Sequence, residues 1–524
     1  MKQIIGVMLA SLAMIACSED GTQVRSDFDV PGSTEVSHEM IVLGEKLSDP
    51  YSLQNVEAAV KSLYPTKADR TDLSATDLYV RFLPKDEKEY DSLVGVGLEL
   101  MDHPMDYKIV KEGDYYQDPQ VSDDCITWQY AVVHKDFVFP QGIRYEILDK
   151  CYLSENDAAT RADGIDWAAV ERESYRLTGN AALLSPITKG GTNPTGRITI
   201  VDDKANGGKA FGVAGVKVMC NAFVKFSSDY TDRDGYYEIP KSYTSNVRYR
   251  LVFQNEKKFT IGLNKVLVKA STSTLGKASA EGVNAEITQN SERKLFSRCV
   301  VNNAAYEYFC RCSEDDMDLS LPPADTRFWL FQKLDVSSAV MLHHGAIIDN
   351  SLIANFLGQY KELVKMFVPD ITLGLEGKDD YSSIYRAACH ELAHASHFSQ
   401  VKTGYWDNYI AYIMTSYVTS SGMTYGNGTE PNSGYCEIGE MWAYFLESVM
   451  YKDRYGGSIP SFGNSFWFHP QIFRYMNERS VSCSQILKAL VEQVHSRDML
   501  ETKLCELYPY EKSMVEQVFN RYND

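Results

Sequence analysis

Between Tyr381 and Lys402 no glycine or proline interrupts the chain, and within this stretch stands His390-Glu391-Leu392-Ala393-His394. With Asp379, Asp380 and Ser382 as capping candidates at its start, the stretch predicts a helix. Residues four apart are neighbours on one helix face, so both imidazoles can reach a single Zn²⁺. Glu391 then stands beside the fourth position, where it can take a proton from a water. Such a site needs a third protein ligand from a second element. No other feature of the 524 residues constrains the fold as much.

The segment from Glu437 to Met450 reads as a returning helix and carries Glu440, 46 residues after His394. Glu437, one turn earlier, is the rival ligand. His397 shares the face of His394, but it lies roughly 10 Å along the axis from His390. One ion cannot be held by both with His394 between them, so His397 is expected beside the ligands or facing substrate. An oxyanion needs a stabilising donor. Tyr435, just before the second helix, is the catalytic candidate, with His469 and Tyr475 behind it; each can also be read as a core or surface residue. Tyr425-Gly426-Asn427-Gly428, between the two helices, is a candidate lid or an ordinary loop.

The order H-E-L-A-H-A-S-H-F followed by G-E-M-W-A-Y-F resembles the gluzincin pattern. It is similar in particular to zinc metallohydrolase lipoproteins of the Bacteroidetes, with their HExxHxxH core, over residues 385–447. The resemblance implies a zinc-dependent metallopeptidase acting on a peptide or protein substrate. One zinc ion would be held by His390, His394 and Glu440, with Glu391 as general base. Tyr444 stands where related gluzincins commonly carry an acidic residue that supports a ligand histidine. The partner of His390 or His394 is therefore left open.

The start of the chain sets an expected location. Met1-Lys2-Gln3, the apolar stretch Ile4 to Ile15 and then Ala16-Cys17 make a run shorter than the ~20 residues that span a bilayer, as in a signal peptide. Met14-Ile15-Ala16-Cys17 resembles a bacterial lipobox, which implies that Cys17 is lipidated and becomes the new N-terminus. Ser18-Glu19-Asp20 resembles the acidic tag of surface-exposed lipoproteins. An outer-membrane lipoprotein is thereby expected, surface-exposed or facing the periplasm, with uptake proteins as candidate neighbours. Residues 18–45 carry seven acids and one arginine and read as a tether. The whole chain has 71 acidic and 52 basic residues and no basic cluster, which excludes a nucleic-acid partner.

The expected fold is multidomain α+β. Residues 46–185 read as a small α+β accessory domain, with strands at Asp77–Leu83 and Ile126–Val133 and helices at Glu87–Leu100 and Asp166–Leu177. This domain is also a candidate inhibitory prosegment. Residues 190–290 carry short strands at Arg197–Val201, Gly215–Met219 and Tyr236–Ile239, spaced as in a β-sandwich. Their sequence resembles the carboxypeptidase regulatory-like (transthyretin-like) module, which implies a spacer or recognition role. The acidic turn Thr231 to Gly235 reads as a hairpin, because it lacks the ligand count of a calcium loop. Residues 291–524 read as a mainly helical, zincin-like domain. Its helices are expected at Asn302–Cys312, Ser351–Phe367, Ser484–Val494 and Glu511–Tyr522, with strands at Ala339–His343 and Asp370–Leu375. Cys299, Cys310 and Cys312 allow a disulfide or buried thiols, and the absence of a CxxC pair disfavours a cysteine zinc site. Two alternatives to peptide hydrolysis stay open: a zinc hydrolase acting on glycopeptides or other amides, and a non-catalytic binding lipoprotein of a nutrient-uptake system.

Overall fold

The first sheet buries residues on both of its faces, so it is covered on two sides. In the computed structural model, strand β2 (Asp77–Leu83) lies between β4 (Gln129–His134) and β5 (Arg144–Cys151), antiparallel to each. Val80 and Phe82, with Ala131 and Val133, meet Leu93 of helix α2 (Glu87–Gly95) on one side. Tyr79 and Tyr130 face the other side, toward Met219 and Phe223. Helices α1 (Leu53–Leu63) and α3 (Trp167–Leu177) pack through Val56, Val60 and Val170, and Asp166 caps α3 by accepting from the Ala169 amide. Helix α2 stops five residues short of expectation, ahead of Gly97 in a left-handed conformation. The structure describes residues 40–522 apart from 69–72, 123–124, 158–163, 186–190, 263–268, 316, 347–367, 420–424, 458 and 460–465. Cys17, the signal segment, most of the expected tether and the expected helix Ser351–Phe367 lie outside the described residues. The tether is corrected at its end: Val42–Lys46 forms strand β1, paired with β3 (Tyr107–Lys111).

The middle of the chain contributes to two sheets whose buried residues share one core. A small one joins β10 (Tyr236–Glu238), β6 (Thr195–Ile200) and β14 (Ala285–Ile287), with β7 (Phe211–Gly212) on β6. The larger runs in the order β16 (Ser338–Ala339), β17 (Ile371–Gly374), β15 (Arg327–Phe331), β12 (Thr260–Gly262), β11 (Val247–Asn255), β8 (Val216–Ala222), β9 (Lys225–Tyr230), with β13 (Thr272–Ala278) also on β11. The acidic turn carries the chain from β9 in one sheet to β10 in the other, so it does not close a hairpin. Asp232 accepts from the amides of Asp234 and Tyr236, and a side chain on Gly235 would collide with the Ile198 carbonyl.

The expected boundary at 290 is not a structural one. Strand β12 pairs in parallel with β15, Ile261 opposite Phe328, so the large sheet continues across it. One apolar core runs from Ile198 through Phe519. Helix α4 (Arg293–Cys310), buried along most of its length, lies within that core. Cys299, Cys310 and Cys312 are buried, and none of them is joined in a disulfide. Helices gather toward the C-terminus: α5 (Tyr381–Thr419), α6 (Ser433–Tyr455), α7 (Gln471–Asn477), α8 (Cys483–Ala489), α9 (Arg497–Leu507) and α10 (Lys512–Phe519). The architecture is thus mixed α/β with a helical C-terminal region. No helix among the described residues is long and apolar enough to cross a membrane.

Candidate metal centre

Helix α5 begins where the capping residues place it, with Asp380 accepting from the Ser383 amide. The helix continues past Lys402, where the predicted stretch ends, as a second limb. At Lys402, φ is +68° and the helix kinks. The second limb carries Trp406 and Tyr409 onto the face that bears His394, with ring centres 5.8 and 5.5 Å from its imidazole. Helix α6 packs on the first limb, and Trp442 Nε1 donates to the Ala393 carbonyl at 3.0 Å. A side chain on Gly439 would stand 3.2 Å from the Tyr409 ring, so this glycine lets Tyr409 approach. The Tyr409 hydroxyl then donates to Glu440 Oε1 at 2.6 Å.

These contacts bring His390, His394 and Glu440 together, all buried, with one candidate ligand atom of each within 4.8 Å of the others. His390 Nε2 lies 3.5 Å from Glu440 Oε2, and His394 Nε2 lies 3.6 Å from Glu440 Oε1. Donors placed about 2.1 Å from a tetrahedral ion stand about 3.4 Å apart, so the spacing suits a shared cation. The cluster could hold a metal ion. Glu391 is buried on the same helix, between the two histidines in sequence.

Glu447 supplies the partner that the sequence left open. Its Oε2 lies 3.2 Å from His390 Nδ1, while Oε1 accepts from Arg386 Nε at 2.7 Å. Glu447 follows Glu440 by two helical turns and so shares its face, which is the signal that could have found it. Tyr444 instead sets its ring 4.5 Å from that of His390, and its hydroxyl meets that of Tyr425 at 3.2 Å.

Electrostatics distinguish the two histidines. Burial works against charge on His390, but hydrogen bonds with Glu440 and Glu447 outweigh it and hold the imidazole well above its ordinary value. At His394 burial wins over Glu440 and lowers it. Glu440 is held down at about 2: burial opposes ionisation, and the two histidines more than compensate.

His397 stays outside the cluster. Its buried ring packs against Tyr405 and Trp406, at 5.3 and 5.8 Å. Neither ring nitrogen has a hydrogen-bond partner among the described residues. Burial, and then the neighbouring His394, pull it down to about 3, so it is neutral. Glu437 is drawn away by Arg497, whose Nε donates to it at 2.7 Å. Tyr435 stacks on His495 at 4.8 Å and packs edge-on against Tyr405, with no described contact to the cluster. His469 packs on Tyr522, which also lies beside Tyr475. The segment 425–428 is pinned. Trp467 Nε1 and the Tyr412 hydroxyl both donate to the Tyr425 carbonyl, and Gly428 lies beneath the Trp467 ring. The phenol that does reach the ligands is Tyr409, which lies beyond the stretch predicted as helix, on the limb after the kink.

No family model matches this chain, and no curated protein matches it. The likeness to gluzincins therefore rests on the residues of α5 and α6 named above.

Proposed function

We propose that the chain is a zinc-dependent metallopeptidase with a zincin-like site. The observation that carries this reading is the buried His390–His394–Glu440 cluster, with Glu391 set between its histidines. Two imidazole nitrogens and one carboxylate are a donor set of catalytic zinc, with a fourth position left for water or substrate. When bound, the ion supplies Lewis-acid polarisation of a carbonyl and lowers the pKa of a water to about 7.

The chain's own residues do the rest. Glu391 takes a proton from the attacking water and delivers it to the departing amine. Glu447, itself fixed by Arg386, holds His390 through Nδ1 and leaves Nε2 turned toward Glu440. Tyr409 fixes Glu440 through Oε1. An outer-membrane lipoprotein anchored through Cys17 is the location that goes with this reading.

The test combines metal analysis with turnover of a peptide library by the chain from Ser18 onward. Bound zinc and chelator-sensitive cleavage lost in Glu391→Gln are expected. Tight zinc binding without such cleavage would replace this reading with the binding-lipoprotein alternative.

A further inference from the structure

Strand β11 turns Tyr249, Leu251 and Phe253 into the sandwich core. The alternate residues Arg250, Val252 and Gln254 therefore face the other way, toward the unit built by residues 46–185. Between that unit and the large sheet lies a cavity of about 440 Å³, lined by these three residues. It shares no lining residue with the metal cluster.

Arg250 is only 5% exposed. Its Nη2 donates to His103 Nε2 at 3.1 Å, and His103 Nδ1 lies 2.7 Å from Asp102 Oδ1. Arginine can only donate, so His103 accepts through Nε2, carries its proton on Nδ1 and is neutral. No carboxylate among the described residues pairs with Arg250 within 4.0 Å. The acids lining the cavity are engaged elsewhere. Glu99 pairs with Lys217 at 3.3 Å, Asp114 with Lys294 and Arg298 at 2.8 and 2.9 Å, and Asp102 also accepts from the Tyr116 amide.

A buried guanidinium is normally mated to an anion, because its desolvation is otherwise uncompensated. Burial brings Arg250 down to about 10 even though the Asp102 charge opposes the shift. The hydroxyl of Thr260, also buried on the cavity wall, has no hydrogen-bond partner among the described residues. Lys217 and Lys269 also line the cavity, but they pair with Glu99 and with Asp91 and Asp325. Arg250 and the Thr260 hydroxyl thus meet a cavity whose remaining wall includes Leu98, Met101, Met219 and Val252.

We propose that this cavity binds a small molecule with a single carboxylate on an apolar body, the carboxylate on Arg250 and the body against Met101, Met219 and Val252. The volume lies within the ordinary range of ligand pockets, roughly 300–1,000 Å³. Lys217 and Lys269 are held by Glu99, Asp91 and Asp325, so among the described residues no second unpaired cation stands ready for a dianion such as a phosphate monoester. The proposal stands apart from the peptidase reading and gives the accessory unit a recognition role.

The test is calorimetric titration of the chain from Ser18 onward with hexanoate, phenylacetate, indole-3-acetate and N-acetyl-leucine, with hexanamide and phenyl phosphate as controls. At least one carboxylate should bind saturably at one site, about tenfold more weakly in Arg250→Gln and measurably more weakly in Thr260→Val. Glu391→Gln should leave binding unchanged. Should Arg250→Gln fail to fold, Arg250→Lys keeps the charge but loses the fork, and a clear loss of affinity is expected there too. The proposal is overturned if no carboxylate binds up to about 10 mM. It also fails if the folded Arg250 variant binds as tightly as the wild type, if hexanamide matches hexanoate, or if phenyl phosphate exceeds phenylacetate.

Discussion

Two buried polar sites in this chain treat charge in opposite ways. At the metal centre two carboxylates face cations or imidazoles: Glu440 meets two histidines, and Glu447 meets His390 and Arg386. At the cavity, Arg250 meets a neutral imidazole and nothing negative within ion-pair distance among the described residues. The first arrangement gathers electron-pair donors around a point, which suits a small cation. The second leaves donor hydrogens turned into a space, which suits an anion. Burial is common to both, so burial alone does not say what a polar site holds. The sign of what is left over does.

The comparison breaks most sharply at Glu391. Glu391→Gln keeps the shape and removes the base, so kcat on a cleaved peptide should fall by about a thousandfold. Zinc content, read by metal analysis, should stay the same. A parallel loss of zinc would make Glu391 a structural part of the cluster instead. Glu440→Ala comes next. It removes one of three donors and strips the Tyr409 hydroxyl of its acceptor, so the purified protein should lose most of its zinc. Unchanged zinc content would remove Glu440 from the ligand set. Glu447→Gln acts one step further out, and zinc affinity should fall roughly 10- to 100-fold, as for other supports of ligand histidines. Competition with a chromogenic chelator reads this directly. An unaltered affinity would mean that the Nδ1 contact does not hold His390.

How legible these sites were depends on the distance over which their residues are ordered. His390 and His394 are fixed by the pitch of one helix, so spacing alone announced them. Glu440 needed a second helix, but it lies on a local pattern of its own. Glu447 and Tyr409 were not legible, for different reasons. Glu447 finds His390 only through the crossing of α5 and α6. Tyr409 reaches Glu440 only because the backbone turns at Lys402, a residue type that carries no local break signal. Tyr435 looked promising by position, yet ring stacking with His495 claims it. The same logic holds for the fold. Strand β2 was evident from its own residues, whereas the sheet's continuation across 290 depends on parallel pairing between remote segments. Arg250 reads in sequence as a polar residue alternating outward on a strand, and only the docking of residues 46–185 makes it buried.

The smallest expected effect sharpens the comparison from a third histidine. His103 has one acceptor and one obligate donor as partners, so it must be neutral. His344 has two acceptors: Nδ1 lies 2.9 Å from Asp370 Oδ1, and Nε2 lies 3.0 Å from the Ala324 carbonyl. Only the imidazolium can donate to both at once. Burial opposes that charge, but the bond to Asp370 outweighs it, with Asp325 adding to the effect, and the His344 value is raised. A raised histidine contributes its full stability below the unfolded-state value near 6.5 and loses it as pH climbs through the folded-state value. The wild type should therefore lose stability relative to His344→Gln as pH rises above about 6.5. The change should be less than about 1 kcal/mol, because the imidazole is partly open to solvent. Urea midpoints of the two proteins, compared at pH 6 and at pH 9, measure the difference. If it does not change with pH, His344 is held neutral as His103 is, and hydrogen-bond partners do not set protonation at this site.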